Sequence, residues 1–232
     1  MVAQRSLQTI ISGLAAYYGT PKPPITTDAF ELVVLENIAY LVSDEQRKEA
    51  FKALRKHAGI KPHEILSARH GDILKATKLG GMHPERRVGR LKEIAMIAMN
   101  EFDGDVRQAL KLPLPKAKQA LRKFPSIGEP SAERILLFTR SYPVLGLDSN
   151  GLRALLRLGF GEEKKSYSAT YRSVQEAIGN QLNEDYDWLI DAHILLRQHG
   201  KELCKTSRPL CEKCPVRMSC VYFSKYGAVA RP

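Results

Sequence analysis

Residues 121–153 constrain the fold of this chain more than any other stretch. They contain the sequence FPSIG at residues 124–128, which is typical of a tight turn between two helices. Pro125 fixes a backbone angle, while Gly128 permits positive φ and the close approach of another molecule. Pro130 suits the first turn of the next helix, where its missing N–H costs nothing. The stretch therefore predicts helix, turn and helix, with unpaired N–H groups suited to phosphate.

Hydrophobic periodicity predicts helices along the rest of the chain, and no segment alternates convincingly as a strand does. The segments expected to be helical are residues 1–19, 29–42, 44–58, 85–102, 106–112, 115–123, 131–139, 151–158, 168–182 and 186–199, with two short helices within 61–78. Glu36 and Tyr40, four residues apart, are expected to share one helix face. Arg87 is expected to face solvent, and Gly200 is expected to close the last long helix.

Composition limits the class of protein. The chain has 232 residues and a formal net charge of +11, which suggests a polyanionic partner without identifying it. It has no run of about 18 apolar residues, so no membrane span is predicted. The N-terminus is a poor signal peptide. We therefore expect a cytoplasmic protein, associated with the nucleoid if the source is prokaryotic.

Four cysteines lie within 17 residues, at Cys204, Cys211, Cys214 and Cys220. Four thiolates so close together can surround one metal centre, either a tetrahedral zinc ion or an iron–sulfur cluster. The spacing alone does not separate these two alternatives. A disulfide framework is a poorer third, because the rest of the sequence indicates a reducing compartment.

The turn motif, Leu147-Asp148-Ser149 followed by Arg153, and the cysteine spacing together resemble the helix-hairpin-helix DNA glycosylases. The branch is the endonuclease III and adenine glycosylase type. The resemblance implies an all-α fold of two helical lobes with a DNA-binding cleft between them. One lobe spans residues 28–142. The other combines residues 1–27 with 143–232 and carries a [4Fe–4S] loop at residues 204–220.

The resemblance also implies a partner and its contacts. The partner is double-stranded DNA containing a lesion or mismatch, bound by a monomer. The residues expected to contact DNA are Pro125, Ser126, Ile127, Gly128, Ser131 and Arg153. All four cysteines are expected to hold the [4Fe–4S] cluster. Its expected role is structural, because it would tie down the loop that presents basic residues to phosphate.

Asp148 is the first candidate for catalysis. An N-glycosidic bond breaks through a sugar that develops positive charge, and a nearby carboxylate stabilises that charge or activates water. Bifunctional members of the family carry a nucleophilic lysine just after the hairpin glycine, and here that position is Pro130. We therefore predict a monofunctional DNA glycosylase for base-excision repair. The alternatives are a bifunctional glycosylase that uses Lys118 or Lys123, and a DNA-binding protein without activity.

Glu36 is the second candidate, because it aligns with the proton-donating glutamate of adenine glycosylases. A carboxyl on a buried helix is expected to have either a raised pKa, as a general acid needs, or a charged partner. The family's glutamine wedge is absent, so the candidates for lining the base pocket or filling the gap in the duplex are Tyr40, Leu41, Met82 and His83. The sequence leaves two alternatives for the excised base, which are a damaged purine and a mismatched uracil or thymine.

Overall fold

The computed structural model describes residues 6–226, and this part of the chain is all-α. Its thirteen α-helices, in chain order, are α1 (Leu7–Tyr18), α2 (Ala29–Asn37), α3 (Asp44–His57), α4 (Pro62–Ser67), α5 (His70–Leu79), α6 (Pro84–Phe102), α7 (Arg107–Leu110), α8 (Leu114–Leu121), α9 (Glu129–Phe138), α10 (Ser149–Leu158), α11 (Tyr167–Ile178), α12 (Tyr186–Glu202) and α13 (Val221–Tyr226). Extended pairing within the described range is limited to one isolated bridge, between Tyr40 and Gly81. The predicted fold class is confirmed, although residues 1–5 of the first expected helix lie outside the described part.

The chain forms two compact units. The described parts of these units are residues 24–142 for one, and 6–23 with 143–226 for the other. The sequence predicts the first of these boundaries after residue 27, and in the structure it lies after residue 23. None of the helices between residues 6 and 226 has the length and apolar character that a membrane span requires.

The unit of residues 24–142 contains α2 to α9. Within it α3 packs on α5, α4 and α5 pack on α6, and α2 packs on both α6 and α9. Helix α2 is apolar on nearly every side, and Val33, Val34 and Ile38 at its end are fully buried. That burial explains the nearly continuous apolar run in the sequence, because a helix surrounded by other elements has no polar face to expose.

Helix α2 is shorter than the sequence predicted, since it ends at Asn37 and not near residue 42. The chain then turns, and the Tyr40 backbone N–H donates to the Gly80 carbonyl at 2.8 Å. Leu41 follows with a φ of 55°, a value incompatible with a continuing helix. Tyr40 therefore does not share a helix face with Glu36. Backbone pairing with the turn before α6 overrides the helical periodicity of residues 38–42.

Arg87 on α6 is buried, which contradicts the expected outward orientation. Its Nη2 atom donates to the carbonyls of Thr77, at 2.7 Å, and Gly81, at 2.8 Å. Gly81 itself has a φ of 87°, and a Cβ atom there would lie 2.7 Å from the Tyr40 carbonyl oxygen. The turn before α6 is therefore held in place by hydrogen bonds from the buried Arg87 guanidinium and from the Tyr40 backbone.

The second unit consists of α1 and α10 to α13. Helix α12 lies at its centre, because α1 and α10 both pack against it, and α10 also contacts α11 and α13. Gly200 lies inside α12 and does not close it, since the helix continues to Glu202. A Cβ atom at Gly200 would lie only 2.4 Å from the Asn150 carbonyl oxygen. This glycine is needed for the close approach of α10, not for helix termination.

Candidate functional site

The turn between α8 and α9 contains the residues expected to contact DNA phosphate. The left-handed conformation lies at Ser126, with φ of 65°, while Gly128 has φ of −87°. Gly128 therefore does not use the positive φ that glycine permits. A Cβ atom at Gly128 would find only Pro130 Cδ, at 3.7 Å, so the site leaves room for an approaching group. Ile127 is buried and anchors the turn by its side chain.

Two polar side chains hold this turn in place. Asn37 is buried at the end of α2, and its Nδ2 atom donates to the Pro125 carbonyl at 3.1 Å. The same amide nitrogen donates to the Val33 carbonyl at 2.9 Å. On the exposed side, Arg90 Nη1 donates to Ser126 Oγ at 2.9 Å. The turn is thus fixed before any ligand binds, which lowers the entropic cost of binding.

The position that would carry a nucleophilic lysine is occupied by Pro130, the second residue of α9. Lys118 on α8 donates to Glu129 at 2.8 Å and to Glu133 at 2.7 Å. Burial alone would lower the pKa of the Lys118 ammonium group, but these two carboxylates outweigh burial and raise that pKa. Lys123 forms an ion pair with Glu101. Both lysines are therefore paired with carboxylates, whereas nucleophilic attack requires a free amine.

Glu36 is partly buried on α2 and forms an ion pair with Arg134 of α9. Ser131 Oγ also donates to Glu36 Oε2 at 3.2 Å. Burial alone would raise the pKa of the Glu36 carboxyl, but Arg134, with Arg47 and the Ser131 hydroxyl, outweighs burial and lowers it. Of the two states expected from the sequence, the structure has the paired carboxylate. Glu36 is ionised at neutral pH.

Asp148 caps the N-terminus of α10. Its Oδ1 atom accepts from the backbone N–H groups of Asn150, at 3.0 Å, and Gly151, at 2.8 Å. Its Oδ2 atom accepts from Asn150 Nδ2 at 3.0 Å and lies 3.3 Å from Arg197 Nε. The capping function and a catalytic one are compatible, because the cap orients the carboxylate and leaves its charge in place.

The charge of Asp148 is stabilised by its surroundings. Burial alone would raise the pKa of the Asp148 carboxyl. Hydrogen bonds from Gly151 and Asn150, with His193 and Arg197 close by, outweigh burial and lower that pKa. Asp148 is therefore a permanent negative charge at neutral pH, with 16% of its side-chain surface accessible.

The sequence did not identify three of the neighbours of these carboxylates. Arg134 contacts Glu36, and Arg197 contacts Asp148. His193 is buried one helical turn before Arg197, and its Nδ1 atom lies 2.5 Å from the Gly146 carbonyl oxygen. The sequence did contain an indication of His193 and Arg197, because polar residues four positions apart on the buried face of α12 require partners.

The candidates for a base pocket or wedge occupy two adjacent turns. Tyr40, Leu41 and Met82 are exposed by 55%, 73% and 51%, and they form an apolar patch next to the Tyr40–Gly81 bridge. Leu41 and His83 both have positive φ, at 55° and 56°. Strained backbone with exposed apolar side chains is typical of a surface that binds a ligand or a macromolecular partner.

The four cysteine side chains are free thiols that line one cavity. Burial and the neighbouring sulfur atoms raise the pKa of Cys211 and Cys220, and that of Cys214 to about 11. Such thiols become thiolates when a cationic metal centre compensates their charge. Within residues 6–226 no set of three or more His, Cys, Asp or Glu side chains is arranged around one ion position.

Several side chains secure the loop that carries these cysteines. Arg153 Nε donates to the Cys204 carbonyl at 3.0 Å, and its Nη2 donates to the Gly200 carbonyl at 2.7 Å. Arg157 Nη1 donates to the Lys205 carbonyl at 2.6 Å and lies 3.5 Å from Cys204 Sγ. The Arg153 guanidinium thus binds protein carbonyls, while Arg157 also supplies positive charge beside a sulfur. Four thiols that line one cavity, with a cation beside one of them, have the chemistry of a thiolate donor set.

Comparison with known proteins gives a consistent result. No protein-family model matches the chain. Endonuclease III of Thermotoga maritima is 26% identical over 207 residues, covering 89% of each chain. Endonuclease III of Sulfolobus acidocaldarius is 25% identical over 202 residues, covering 85% of this chain and 84% of the relative.

Two solved structures have the same fold. One is a trapped covalent intermediate of endonuclease III and DNA, with a TM-score of 0.76 and 18% identity, covering 98% of this chain and 100% of that one. The other is a thermostable thymine-DNA glycosylase, with a TM-score of 0.74 and 18% identity, covering 94% and 97%. These structures show that the chain has their fold, and together with the sequence relatives they support its resemblance to the helix-hairpin-helix DNA glycosylase superfamily.

Proposed function

We propose that this protein is a DNA glycosylase of base-excision repair that hydrolyses the N-glycosidic bond of a damaged or mispaired base in duplex DNA. The observation that carries the proposal is the ionised Asp148 carboxylate, which is fixed by the α10 cap and retains an accessible surface. The sequence relatives, which are endonuclease III proteins, support the reaction class. The test is base release from duplexes that each contain one lesion, followed by alkali to reveal abasic sites.

In this mechanism Asp148 stabilises the positive charge that develops on the sugar as the bond to the base breaks. A water molecule forms the new bond to the anomeric carbon and loses one proton. The base leaves with the electron pair of the broken bond and takes up that proton. The turn at residues 124–128 binds the phosphate backbone, and contacts of this kind position the protein without reading sequence.

We further propose that the enzyme is monofunctional and leaves an intact abasic strand. Pro130 has no amine, and Lys118 and Lys123 are both paired with carboxylates. A bifunctional glycosylase and lyase is the second candidate, because the relatives are named endonuclease III. Strand cleavage without alkali separates the two candidates.

The excised base is proposed to be a uracil or thymine in a mismatch. A purine leaves more readily when a general acid protonates it, whereas a uracil or thymine leaves as a resonance-stabilised anion. Glu36 is ionised through its pair with Arg134, which supports the pyrimidine over the purine. The thymine-DNA glycosylase of the same fold is consistent with this choice.

Glu36→Gln is expected to leave the pH dependence of excision unchanged between about pH 6 and 8. The pKa of Glu36 is lowered in the folded protein, so its charge is complete above the ordinary carboxyl range and is lost only as pH falls through the lowered value. Single-turnover rates across that pH range measure this. A wild-type rate that falls with rising pH, with the fall abolished in Glu36→Gln, would instead assign Glu36 as the acid.

We propose that Cys204, Cys211, Cys214 and Cys220 hold a [4Fe–4S] cluster, which supplies positive charge to the thiolates and cross-links the loop. Cys214→Ser is expected to reduce bound iron and sulfide and to lower the melting temperature by several degrees, because the cross-link is weakened. Iron and sulfide analysis with visible absorption measures the first effect. Zinc without sulfide in the purified wild-type protein would contradict the cluster.

A further inference from the structure

The unit of residues 6–23 and 143–226 contains a wide groove that the proposed reaction does not use. Its volume is about 880 Å³. We name it the tyrosine–lysine groove after six of its lining residues, which are Lys164, Lys165, Tyr167, Tyr222, Lys225 and Tyr226. The walls come from α10, the connection between α10 and α11, the first turn of α11, the cysteine loop at Thr206, and α13.

The groove is strongly cationic. Its lining contains five basic residues, Arg153, Arg157, Lys164, Lys165 and Lys225, and one acidic residue, Glu163. The two arginines bind carbonyl groups of the protein, whereas the three lysines are exposed. Lys164 also pairs with Glu162 just outside the lining. Positive charge concentrated in a concave surface attracts a polyanion.

Aromatic rings alternate with these cations. The Arg157 guanidinium lies 4.7 Å from the centre of the Tyr222 ring. The Tyr222 and Tyr226 ring centres are 5.0 Å apart, and Lys225 Nζ lies 5.1 Å from the centre of the Tyr226 ring. Tyr167, the first residue of α11, also lines the groove and is exposed by 51%. Proteins that bind unpaired nucleic acid use this combination, with cations for the backbone and rings on which bases stack.

From these observations we propose that the tyrosine–lysine groove binds an unpaired DNA strand. A pocket of about 300 to 1,000 Å³ accommodates molecules of drug size, so this groove has room for a few nucleotides. Ser149, the residue after Asp148, lines the groove. This strand-binding site goes beyond base excision and does not depend on the carboxylate of Asp148.

The test is binding of a fluorescein-labelled oligothymidine, measured by fluorescence anisotropy on the full chain at fixed ionic strength. Tyr167→Ala combined with Tyr226→Ala is expected to weaken this binding at least about tenfold, the size of effect seen when stacked aromatics are removed. Lys164→Gln combined with Lys165→Gln is expected to weaken it and to reduce its salt dependence. Binding of a duplex with a central abasic analogue is expected to change less than about twofold, because the proposed contacts with the duplex backbone lie in the turn at residues 124–128.

The matched control is Lys52→Gln combined with Lys56→Gln, which removes the same charge from the exposed face of α3. This control is expected to bind the oligothymidine as the wild type does. Unchanged oligothymidine binding by both groove variants would overturn the proposal. Equal losses for oligothymidine and duplex would also overturn it, because the groove would then be part of a general DNA surface.

A second measurement needs no variant. Photocrosslinking of an oligonucleotide that carries 5-iodouracil is expected to label Tyr167, Tyr222 or Tyr226, as mapped by mass spectrometry of peptides. Crosslinks confined to other peptides would contradict the groove as the binding site. Base release is assayed separately, so loss of the strand-binding site and failure of the proposed glycosylase activity give different results.

Discussion

Asp148→Asn is expected to reduce the rate of base excision by at least about a hundredfold while leaving DNA binding within a few-fold of the wild type. The substitution removes the charge that stabilises the developing positive sugar, and losses of this order follow when one such electrostatic group is removed. Asparagine keeps the oxygen that accepts from the Asn150 and Gly151 N–H groups. The change is therefore one of charge more than of shape.

The expected cost to stability is small, since asparagine and aspartate are comparable N-caps. Loss of the contact with Arg197 and of negative charge at the start of α10 is expected to cost about 1 kcal/mol, or about 2–4 °C in melting temperature for a chain of this size. Single-turnover excision, anisotropy with a duplex, and thermal unfolding separate the three properties.

Asp185→Asn is the matched control, because Asp185 caps α12 in the same unit. Its side chain accepts from the N–H groups of Asp187, at 2.9 Å, and Trp188, at 3.4 Å. Excision by this variant is expected to equal that of the wild type. An Asp148→Asn protein that retains excision within threefold, or an equal loss in both variants, would remove Asp148 from the proposed mechanism.

The helical architecture was predictable because most helices carry a local signal. Asp28 and Asp148 occur at N-caps, and Pro84 and Pro130 occur in first turns, which are the positions that these residue types favour. The end of α2 was not predictable, because it depends on a bridge between Tyr40 and Gly81, 41 positions along the chain. Long-range backbone pairing has no signature in a sequence window.

The candidate site was likewise predictable only in part. The sequence indicated which carboxylates to consider, but it could not supply their electrostatic partners. Glu36 pairs with Arg134 on a helix nearly a hundred residues away, and that pairing decides the direction of its pKa shift. The conformation of the hairpin was also not predictable, because Ser126 and not Gly128 adopts the left-handed region. A serine there is strained enough that local statistics favour the glycine.

Borohydride trapping on DNA with an abasic site is expected to give no covalent adduct with the wild-type protein. Trapping requires a neutral amine that forms a Schiff base with the opened sugar. Pro130 has none, and the pKa of Lys118 is raised by Glu129 and Glu133, so its amine is protonated. Strand cleavage is correspondingly expected only after alkali.

Pro130→Lys is expected to give the covalent adduct that the wild-type protein does not form under borohydride. The second position of α9 tolerates lysine, and the positive end of the helix dipole disfavours the charged ammonium and so favours the nucleophilic amine. The adduct is measured as a band of reduced mobility in a denaturing gel. Pro130→Ala, which removes the ring without adding an amine, is the control and is expected to trap nothing.

A wild-type adduct would contradict the monofunctional proposal, and peptide mapping would identify the lysine. Attachment at Lys118 would mean that DNA displaces Glu129 and Glu133, so that the ion pairs of the free protein do not persist in the complex. Attachment at Lys123 would mean the same for Glu101. The experiment therefore tests whether carboxylate pairing, together with proline at position 130, is sufficient to keep water as the nucleophile.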